Sequence, residues 1–384
     1  MKLAFINADL WTVSHGVIKA GQILLVDGKI AALGKKVNLP KDAQIIDVKG
    51  KIITPGLIDS HSHVGVMEES IGWAGDDVNE CTDPNTAQVR ALDGINPLDK
   101  GFEDCLKGGV TTVQVGPGSG NVIGGEMLVI KTAGTIVDHM VVKPLSGMKA
   151  ALGENPKNVY GNQKKMPSTR MGTAAVLRGA LLDAKTYAQK KNDGKDQAFD
   201  MRKENLAKVL SREIPMRIHA HRADDIVTAI RIADEFDIEI TIEHCTEGDK
   251  VAELIAEKKI YVAVGPTLSS KSKVELKDMG YHTPVLLAKA GVPFSIISDH
   301  PIIPETYLHI AAGLAVREGL PDDTALKALT EVPAKMLGLS DRMGSLDVGK
   351  DADIVVWSED PFEFMSQVCY TVINGSIVWQ GGKQ

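Results

Sequence analysis

Two histidines separated by one serine, His61 and His63, end the apolar segment TPGLIDSHSHV. In a β-strand, residues i and i+2 point to the same face, so this spacing presents two imidazoles side by side. Imidazole is the commonest side-chain ligand of divalent transition metals, and the pair therefore predicts a metal site. Two hydrogen-bonded histidines in a turn are the structural alternative, which this spacing alone does not exclude.

Further residues of the same chemistry follow other strand-like segments. His219 and His221 end PMRIHAH, His244 lies near the end of IEITIEHC, and Asp299 ends PFSIISD. Each of them taken singly has a structural explanation, as a buried histidine, a helix N-cap or a turn residue. Together they supply imidazoles and one carboxylate to a single rim, which is a suitable ligand set for Zn, Mn or Ni.

The segments that carry these residues alternate with amphipathic stretches. The clearest is ADDIVTAIRIADEF, in which Ile226, Ile230 and Ala233 share one face and predict a helix. Strands that alternate with helices predict parallel βαβ units, and about seven of them in roughly 300 residues favour an α/β fold of the (β/α)8 TIM-barrel type. Such barrels place catalytic residues at the C-terminal ends of the strands, where the histidines and Asp299 occur.

Both ends of the sequence also have strand-like patterns, in KLAFINADLWTV and QILLVDGKIAALG at one end and ADIVVWSED and CYTVINGSIVWQG at the other. Asp27-Gly28 and Asn374-Gly375 predict hairpin turns. Because neither piece alone buries enough apolar surface to be stable, we expect one small β-sandwich built from both termini. The predicted domains are residues 1–53 plus 343–384 for the sandwich and residues 54–342 for the barrel.

Two polar segments interrupt the barrel pattern. GPGSGNVIGG, at residues 116–125, resembles a phosphate-binding loop but lacks the Gly-Lys-Ser/Thr ending, so we predict a loop that lines the pocket. Residues 155–200 form a polar and Lys-rich stretch, which predicts an insertion that covers the mouth of the barrel.

The composition limits the partners of the protein. A formal net charge of −7 excludes broad, sequence-independent binding of nucleic acid. The four cysteines are scattered, which indicates a reducing compartment, and the first residues lack a signal-peptide pattern. No apolar run is long enough to cross a membrane. We expect a cytoplasmic protein with a small-molecule substrate and no membrane partner. The sequence does not decide whether the protein forms a homo-oligomer.

The motifs TPGLIDSHSHV, IHAHRADDI, TIEHCTEG, IISDHP and LDVGKDADIVVW resemble those of the amidohydrolase superfamily, nearest its imidazolonepropionase-like and prolidase-like branch. The resemblance covers nearly the whole chain. It implies a metal-dependent hydrolase of C–N bonds that uses one or two divalent ions, with Zn as the expected metal. It further implies that His61 and His63 bind the more buried ion and that His219 and His244 bind the second. By the same resemblance Asp299 binds metal and shuttles protons, and His244 assists catalysis.

Many members of that superfamily bridge two ions with a carboxylated lysine on the fourth strand, and GMKAALGE places Lys149 at that position. A plain ammonium has no lone pair to offer a metal, whereas a carbamate supplies two oxygens. Glu154 offers an unmodified carboxylate nearby and is the rival bridge; otherwise we assign it to the substrate. Imidazolonepropionases lack the lysine and use one metal, so that activity is kept as an alternative.

The remaining candidates face the substrate. His221 shares a face with His219 and is expected to contact substrate, with a structural role as the alternative. Arg222 is expected to bind a substrate carboxylate, although Asp224 or Asp225 could pair with it instead. A deaminase or a phosphoester hydrolase on the same barrel is a further alternative, but HAHRADD lacks the HxxE pattern that deaminases favour. A metal-storing protein would not need Asp299 beside its ligands.

Overall fold

The computed structural model describes residues 2–69, 72–195 and 198–381, and within these ranges it has sixteen strands in two sheets. In chain order the strands are β1 (Lys2–Trp11), β2 (Val17–Val26), β3 (Lys29–Gly34), β4 (Gln44–Asp47), β5 (Ile52–Pro55), β6 (Leu57–Ser62), β7 (Val110–Val115), β8 (Ile123–Lys131), β9 (Val141–Ala151), β10 (Met216–Ala220), β11 (Ile240–His244), β12 (Tyr261–Val264), β13 (Phe294–Ile296), β14 (Ile354–Trp357), β15 (Val368–Ile373) and β16 (Ser376–Gln380).

The α-helices of the same ranges are α1 (Lys100–Lys107), α2 (Val137–Met140), α3 (Glu154–Asn162), α4 (Arg170–Asn192), α5 (Met201–Leu210), α6 (Ala223–Phe236), α7 (Ala252–Glu257), α8 (His282–Lys289), α9 (Leu308–Arg317), α10 (Asp322–Ala328) and α11 (Glu331–Met336). Short 3-10 turns lie at Gly72–Gly75, Ala91–Gly94, Gly248–Val251, Val274–Leu276 and Glu305–Tyr307. No helix of the described residues is both long and apolar enough to cross a bilayer.

The first sheet unites both ends of the chain in the order β16-β15-β14-β5-β1-β2-β3, with β4 paired to β1. Its central contact is the antiparallel pair of β5 and β14. Both predicted hairpin turns are present, and all four of their central residues have positive φ, as a type I′ turn requires: Asp27 48°, Gly28 80°, Asn374 49° and Gly375 74°. The predicted β-sandwich from the two termini is confirmed.

The second sheet runs β6-β7-β8-β9-β10-β11-β12-β13 and curls into a nearly closed barrel. At the seam, the hydroxyls of Ser60 in β6 and Ser295 in β13 are hydrogen-bonded at 2.6 Å. The predicted barrel fold is confirmed, but parallel pairing throughout is wrong, because β8 is antiparallel to both β7 and β9. The connection over residues 116–122 is shorter than the dozen or so residues that a parallel crossover needs.

Helix α6 covers the predicted segment 223–236, and its residues Ile226, Ile230 and Ala233 are buried as expected. The polar segment 155–200 is mainly helix α4, whose Leu177 and Leu181 are buried in the main core. Helix α4 packs against α5 and α6 on the side of the barrel. The prediction that this whole segment covers the mouth is therefore wrong for α4.

The division of the chain into a sandwich and a barrel domain stays a proposal. Strand β5 pairs with β1 and β14 of the terminal sheet, whereas β6 begins the barrel at Leu57. The proposed boundary after residue 53 therefore falls within β5. A boundary between β5 and β6 fits the pairing of the strands better.

Candidate metal centre

Six of the predicted residues lie together at the C-terminal ends of the barrel strands. The ligand atoms of His219, His221 and His244 lie within 4.8 Å of one another, and so do those of His61, His244 and Asp299. The sixth residue, His63, has Nε2 at 3.2 Å from Asp299 Oδ1, which is also 3.2 Å from His61 Nε2. Parallel strands end at one rim, and this convergence explains how ligands so distant in sequence meet.

Four of these imidazoles are held through Nδ1 by a group of the protein. The pairs are His61 with Glu243 Oε2 at 2.6 Å, His63 with Gly116 O at 2.8 Å, His221 with Thr246 Oγ1 at 2.7 Å and His244 with Gly265 O at 2.8 Å. A carbonyl or carboxylate oxygen can only accept, so Nδ1 of three of these rings must donate, and their neutral form keeps a lone pair on Nε2. Metal-binding histidines are commonly oriented in this way.

His219 differs from the other imidazoles. It is buried, and neither of its ring nitrogens has a hydrogen-bond partner within the described residues. A buried polar group without a partner costs about 1–3 kcal/mol. A metal ion on one of these nitrogens would remove part of this cost, so the residues present fit a bound cation.

The protonation states also suit a cation. Burial lowers the pKa of His244 to about 3 and takes the pKa values of His219 and His221 well below the usual range. Burial raises the pKa of Asp299, but His244, His61 and His63 outweigh it, so that this pKa lies well below its ordinary value. At neutral pH His219, His221 and His244 are therefore neutral imidazoles and Asp299 is a carboxylate, the forms that bind metal.

Of the two proposed bridging residues, Lys149 lies in this cluster. Its side chain is buried, and Nζ lies 3.4 Å from His61 Nε2. Burial lowers the pKa of Lys149 to about 8, which increases the share of neutral amine able to add CO₂. Glu154 begins α3, where its backbone N–H donates to Glu275 Oε1 at 2.6 Å. Its carboxylate is not part of either group of candidate metal ligands found among the described residues.

The cluster opens into a cavity of about 750 Å³, whose wall includes His63, His219, His221 and Asp299. Gly118 and Ser119 lie in this wall, as predicted, and so does Asn155 at the start of α3. The loop predicted at residues 116–125 ends earlier than expected, because β8 begins at Ile123. Arg222 lies outside the wall, because its guanidinium pairs with Asp224 through Nε and Nη2 at 2.9 Å each. The structure therefore brings His221, but not Arg222, to the cavity.

A buried chain of charges behind His61 was not foreseen from the sequence. Arg217 Nε lies 2.6 Å from Glu243 Oε1, and Glu243 Oε2 lies 2.6 Å from His61 Nδ1. Burial raises the pKa of Glu243, but Arg217 and His61 outweigh it and hold this pKa well below its ordinary value. The signal in the sequence is a charged residue inside an apolar strand, in MRIHA and in ITIEH.

Asp59 was also missed, although it lies in the first motif. Its Oδ1 accepts the backbone N–H of His61 at 2.8 Å, and its Oδ2 accepts that of Ser298 at 2.8 Å. One carboxylate thus joins the end of β6 to the loop that carries Asp299. Burial raises the pKa of Asp59 to about 6.

Two of the cluster residues have a strained backbone. His244 and Asp299 have φ of 73° and 55°, in the left-handed region that non-glycine residues rarely occupy. Such conformations cost about 1–3 kcal/mol and persist where the surroundings enforce them, often at functional sites. Here the left-handed backbone conformation directs both side chains from the strand ends into the cluster.

Comparison with known proteins gives a family match over residues 98–379, to a family model described as Amidohydrolase family. The chain is 31% identical over 383 residues to the amidohydrolase tasK of Hapsidospora irregularis, covering 91% of this chain but 38% of that longer protein. It is 24% identical over 415 residues to an imidazolonepropionase of Mesorhizobium japonicum, covering 98% and 96% of the two chains.

Two solved structures are also similar. The crystal structure of an amidohydrolase from Thermotoga maritima superposes with a TM-score of 0.95 at 46% identity, covering 99% of this chain and 100% of that one. A prolidase crystallised with N-methylphosphonate-L-proline gives a TM-score of 0.66 at 19% identity, covering 99% and 100%. At that identity the second likeness concerns the fold alone.

Proposed function

The chain belongs to the amidohydrolase family, and on that basis we propose that it is a metal-dependent amidohydrolase that cleaves a C–N bond of a small substrate with water. The bond is an amide, a cyclic amide or a dipeptide-like bond. The observation that carries this proposal is the group of imidazoles around Asp299, with Nδ1 of four of them held by the protein. Such a group has little purpose without a cation.

We propose that one or two Zn²⁺ ions are held by His61, His63, Lys149, His219, His244 and Asp299. Imidazole nitrogens and carboxylate oxygens are suitable Zn²⁺ ligands. Lys149 would join them after its neutral amine adds CO₂ and loses a proton, which forms a carbamate with two oxygens. A bound divalent cation would lower the pKa of a water molecule from near 16 towards about 7 and would polarise the scissile carbonyl.

The side chains of the site would manage the protons. Addition of water forms a C–O bond and breaks the C–N bond, so that one proton must pass from the water to the leaving nitrogen. Asp299, ionised at neutral pH, would accept that proton on Oδ and then donate it. His244 donates Nδ1–H to Gly265 O, and its neutral ring has no second proton to offer a carbonyl oxygen. This tautomer favours a metal-ligand role for His244.

Imidazolonepropionase proper is kept as a second candidate, because the similarity to that enzyme extends over nearly the whole length of both chains. Lys149 beside His61 favours the first proposal, since imidazolonepropionases resemble this chain without that lysine.

All four cysteines are free thiols, which supports the proposed location in a reducing cytoplasm.

A substrate panel tests this proposal. Zn-loaded protein would be incubated with N-acyl amino acids, dipeptides, cyclic amides and an imidazolone that bears a propionate chain, and the release of amine or ring opening would be followed. We expect hydrolysis of at least one amide class. Turnover of the imidazolone alone would select the second candidate, and deamination or phosphoester hydrolysis without amide cleavage would contradict both.

A further inference from the structure

Lys273 lies in the wall of the cavity that ends at His219, His221 and Asp299. It follows β12 and directly precedes the 3-10 turn Val274–Leu276. Its side chain is 21% exposed, so the ammonium is largely withdrawn from water yet still reaches the cavity surface. Burial of a cation is unfavourable unless nearby groups offset it.

The protein offsets this charge incompletely. Lys273 Nζ donates to Asn155 Oδ1 at 3.1 Å, and its nearest carboxylate oxygen, Glu275 Oε2, is 3.8 Å away. Glu275 is already engaged by another cation, because its Oε1 accepts from Arg170 Nη2 at 2.7 Å. An ammonium has three donors, and Asn155 is the one hydrogen-bond partner of Lys273 Nζ in the described parts of the chain. Burial accordingly lowers the pKa of Lys273, although Glu275 and Glu154 raise it.

The ammonium is nevertheless held in place. Asn155 Nδ2 donates to Ser119 Oγ at 2.7 Å while Asn155 Oδ1 accepts from Lys273, which fixes the orientation of the amide. Ser119, Asn155 and Lys273 come from three separate parts of the chain and all lie in the cavity wall. A donor that is oriented before a ligand arrives loses little entropy when the ligand binds.

The charges of the wall leave this cation available to a ligand. Its carboxylates are Asp299, which belongs to the proposed metal ligands, and Asp76, which is exposed to solvent. Lys273 contributes to lowering the pKa values of His219, His221 and His244, so its field extends to the cluster. The volume of about 750 Å³ is typical of cavities that hold small ligands.

We propose that Lys273, held by Asn155, binds an anionic group of the substrate, so that the site selects substrates with a carboxylate over neutral analogues. This inference rests on the proposed function, since it takes the histidine cluster as the reacting end of the same cavity. The alternative is that Lys273 serves only to balance Glu275 and Glu154. In that case the charge of the substrate would not matter to it.

Matched substrates separate these two roles. We would measure kcat/KM for acetate release from N-acetyl-L-amino acids and from their N-methylamides, with Zn-loaded wild type, Lys273→Met and Lys273→Gln. A hydrogen bond to a charged group is worth about 1.5–3 kcal/mol, so we expect the preference for the acid to fall by about 10- to 100-fold in both variants. Their kcat/KM for the N-methylamides should stay within about threefold of the wild type.

Lys271→Met is the control, because Lys271 is exposed in the same loop and its Nζ bonds to Lys277 O at 2.8 Å. It should retain the preference for the acid. Equal losses for both members of a pair in the Lys273 variants, or an unchanged preference, would overturn the inference. If no pair is hydrolysed, the other amides of the substrate panel decide the proposed function, and calorimetric binding of the same acids and N-methylamides tests Lys273. Acid-selective binding that is lost in both variants supports the inference, and its absence in the wild type overturns it.

Discussion

At the scale of single residues, Asp299 supplies the carboxylate of the cluster. One oxygen, Oδ1, lies 3.2 Å from Nε2 of both His61 and His63, and its group of candidate ligands includes His244. The left-handed backbone of Asp299 turns the carboxylate to this position. A carboxylate that is both a ligand and a proton carrier should tolerate little change.

We expect Asp299→Asn to lower the hydrolytic rate by about 10²-fold or more, because the amide keeps the size of the side chain but cannot accept the proton of the water. Steady-state kinetics on the best substrate would measure this, with circular dichroism to show that the fold is retained. Asp323→Asn is the control, since Asp323 is exposed and pairs with its helix neighbours Lys327 and Thr324. An Asp299→Asn rate within threefold of the wild type would remove Asp299 from the proton pathway.

Lys149 and Glu154 give opposite expectations for the bridge between two ions. With Lys149 as the bridge, Lys149→Ala should lose at least one ion, and short-chain carboxylic acids should partly restore activity by filling the gap. Glu154→Gln should leave the metal content unchanged. Metal analysis of both variants decides: two ions retained in Lys149→Ala but lost in Glu154→Gln would make Glu154 the bridge. A single ion in the wild type that neither change affects would indicate a mononuclear site.

The sequence predicts one class of these residues better than the other. His61, His63, His219, His244 and Asp299 could be found because each ends an apolar strand, and the strand ends of a barrel meet. The roles of Glu243 and Lys273 depend on contacts with His61 and Asn155. A charged residue inside an apolar strand marks Glu243 as unusual, but no local pattern shows which residue either side chain contacts.

At the scale of elements, the pair of β10 and β11 supports the cluster from behind. Their register sets His219 opposite Glu243, while Arg217, two residues earlier in β10, reaches Glu243 Oε1. The same two strands therefore carry the proposed ligands His219 and His244 and the charges that orient His61. Strand β8 was not predicted from the sequence. The short connection from β7 to β8 lies within the glycine-rich segment 116–125, whose pattern predicts a loop.

Glu243→Gln should weaken metal binding by about 10- to 100-fold, because groups that orient a ligating histidine usually have effects of this size. The free energy of unfolding should also fall by about 3–5 kcal/mol, since Arg217 is left buried without its carboxylate. Competition with a chelating dye measures the first effect and urea unfolding the second. The double variant Arg217→Met, Glu243→Leu removes both charges and should regain stability but not metal affinity. Unchanged affinity in both variants would contradict an orienting role.

At the scale of the whole molecule, the two sheets are joined by a buried group of charges. Lys131 of β8 contacts Asp353, and its Nζ lies 3.4 Å from Asp351 Oδ2. Asp351 also pairs with Lys29 at 2.7 Å and Arg342 at 2.9 Å. The predicted sandwich could be recognised from its hairpins, but this contact between the sheets could not, because it depends on how they dock.

Lys131→Met should lower the free energy of unfolding at pH 7 by about 3–5 kcal/mol, since it leaves the buried carboxylate of Asp353 without its cation and removes one of the cations around Asp351. Lys327→Met, which removes an exposed pair with Asp323, should cost less than about 1 kcal/mol. Burial raises the pKa of Asp351, but Lys29, Lys131 and Arg342 lower it by more than burial raises it. The folded pKa of Asp351 therefore lies below the unfolded value. This stabilisation is therefore present above about pH 4 and is lost as the pH falls through the folded pKa. Urea unfolding across pH 3–7 should show the difference between wild type and Lys131→Met shrinking at acid pH; a constant difference would contradict this assignment.

The most direct test of the metal-dependent site is the metal content of the purified protein, measured by elemental analysis alongside its hydrolytic rate. We expect one to two equivalents of divalent metal per chain, loss of hydrolysis when a chelator removes them, and recovery when Zn²⁺ is returned. Protein freed of metal that hydrolyses its substrate at the full rate would contradict the role assigned to His61, His63, His219, His244 and Asp299.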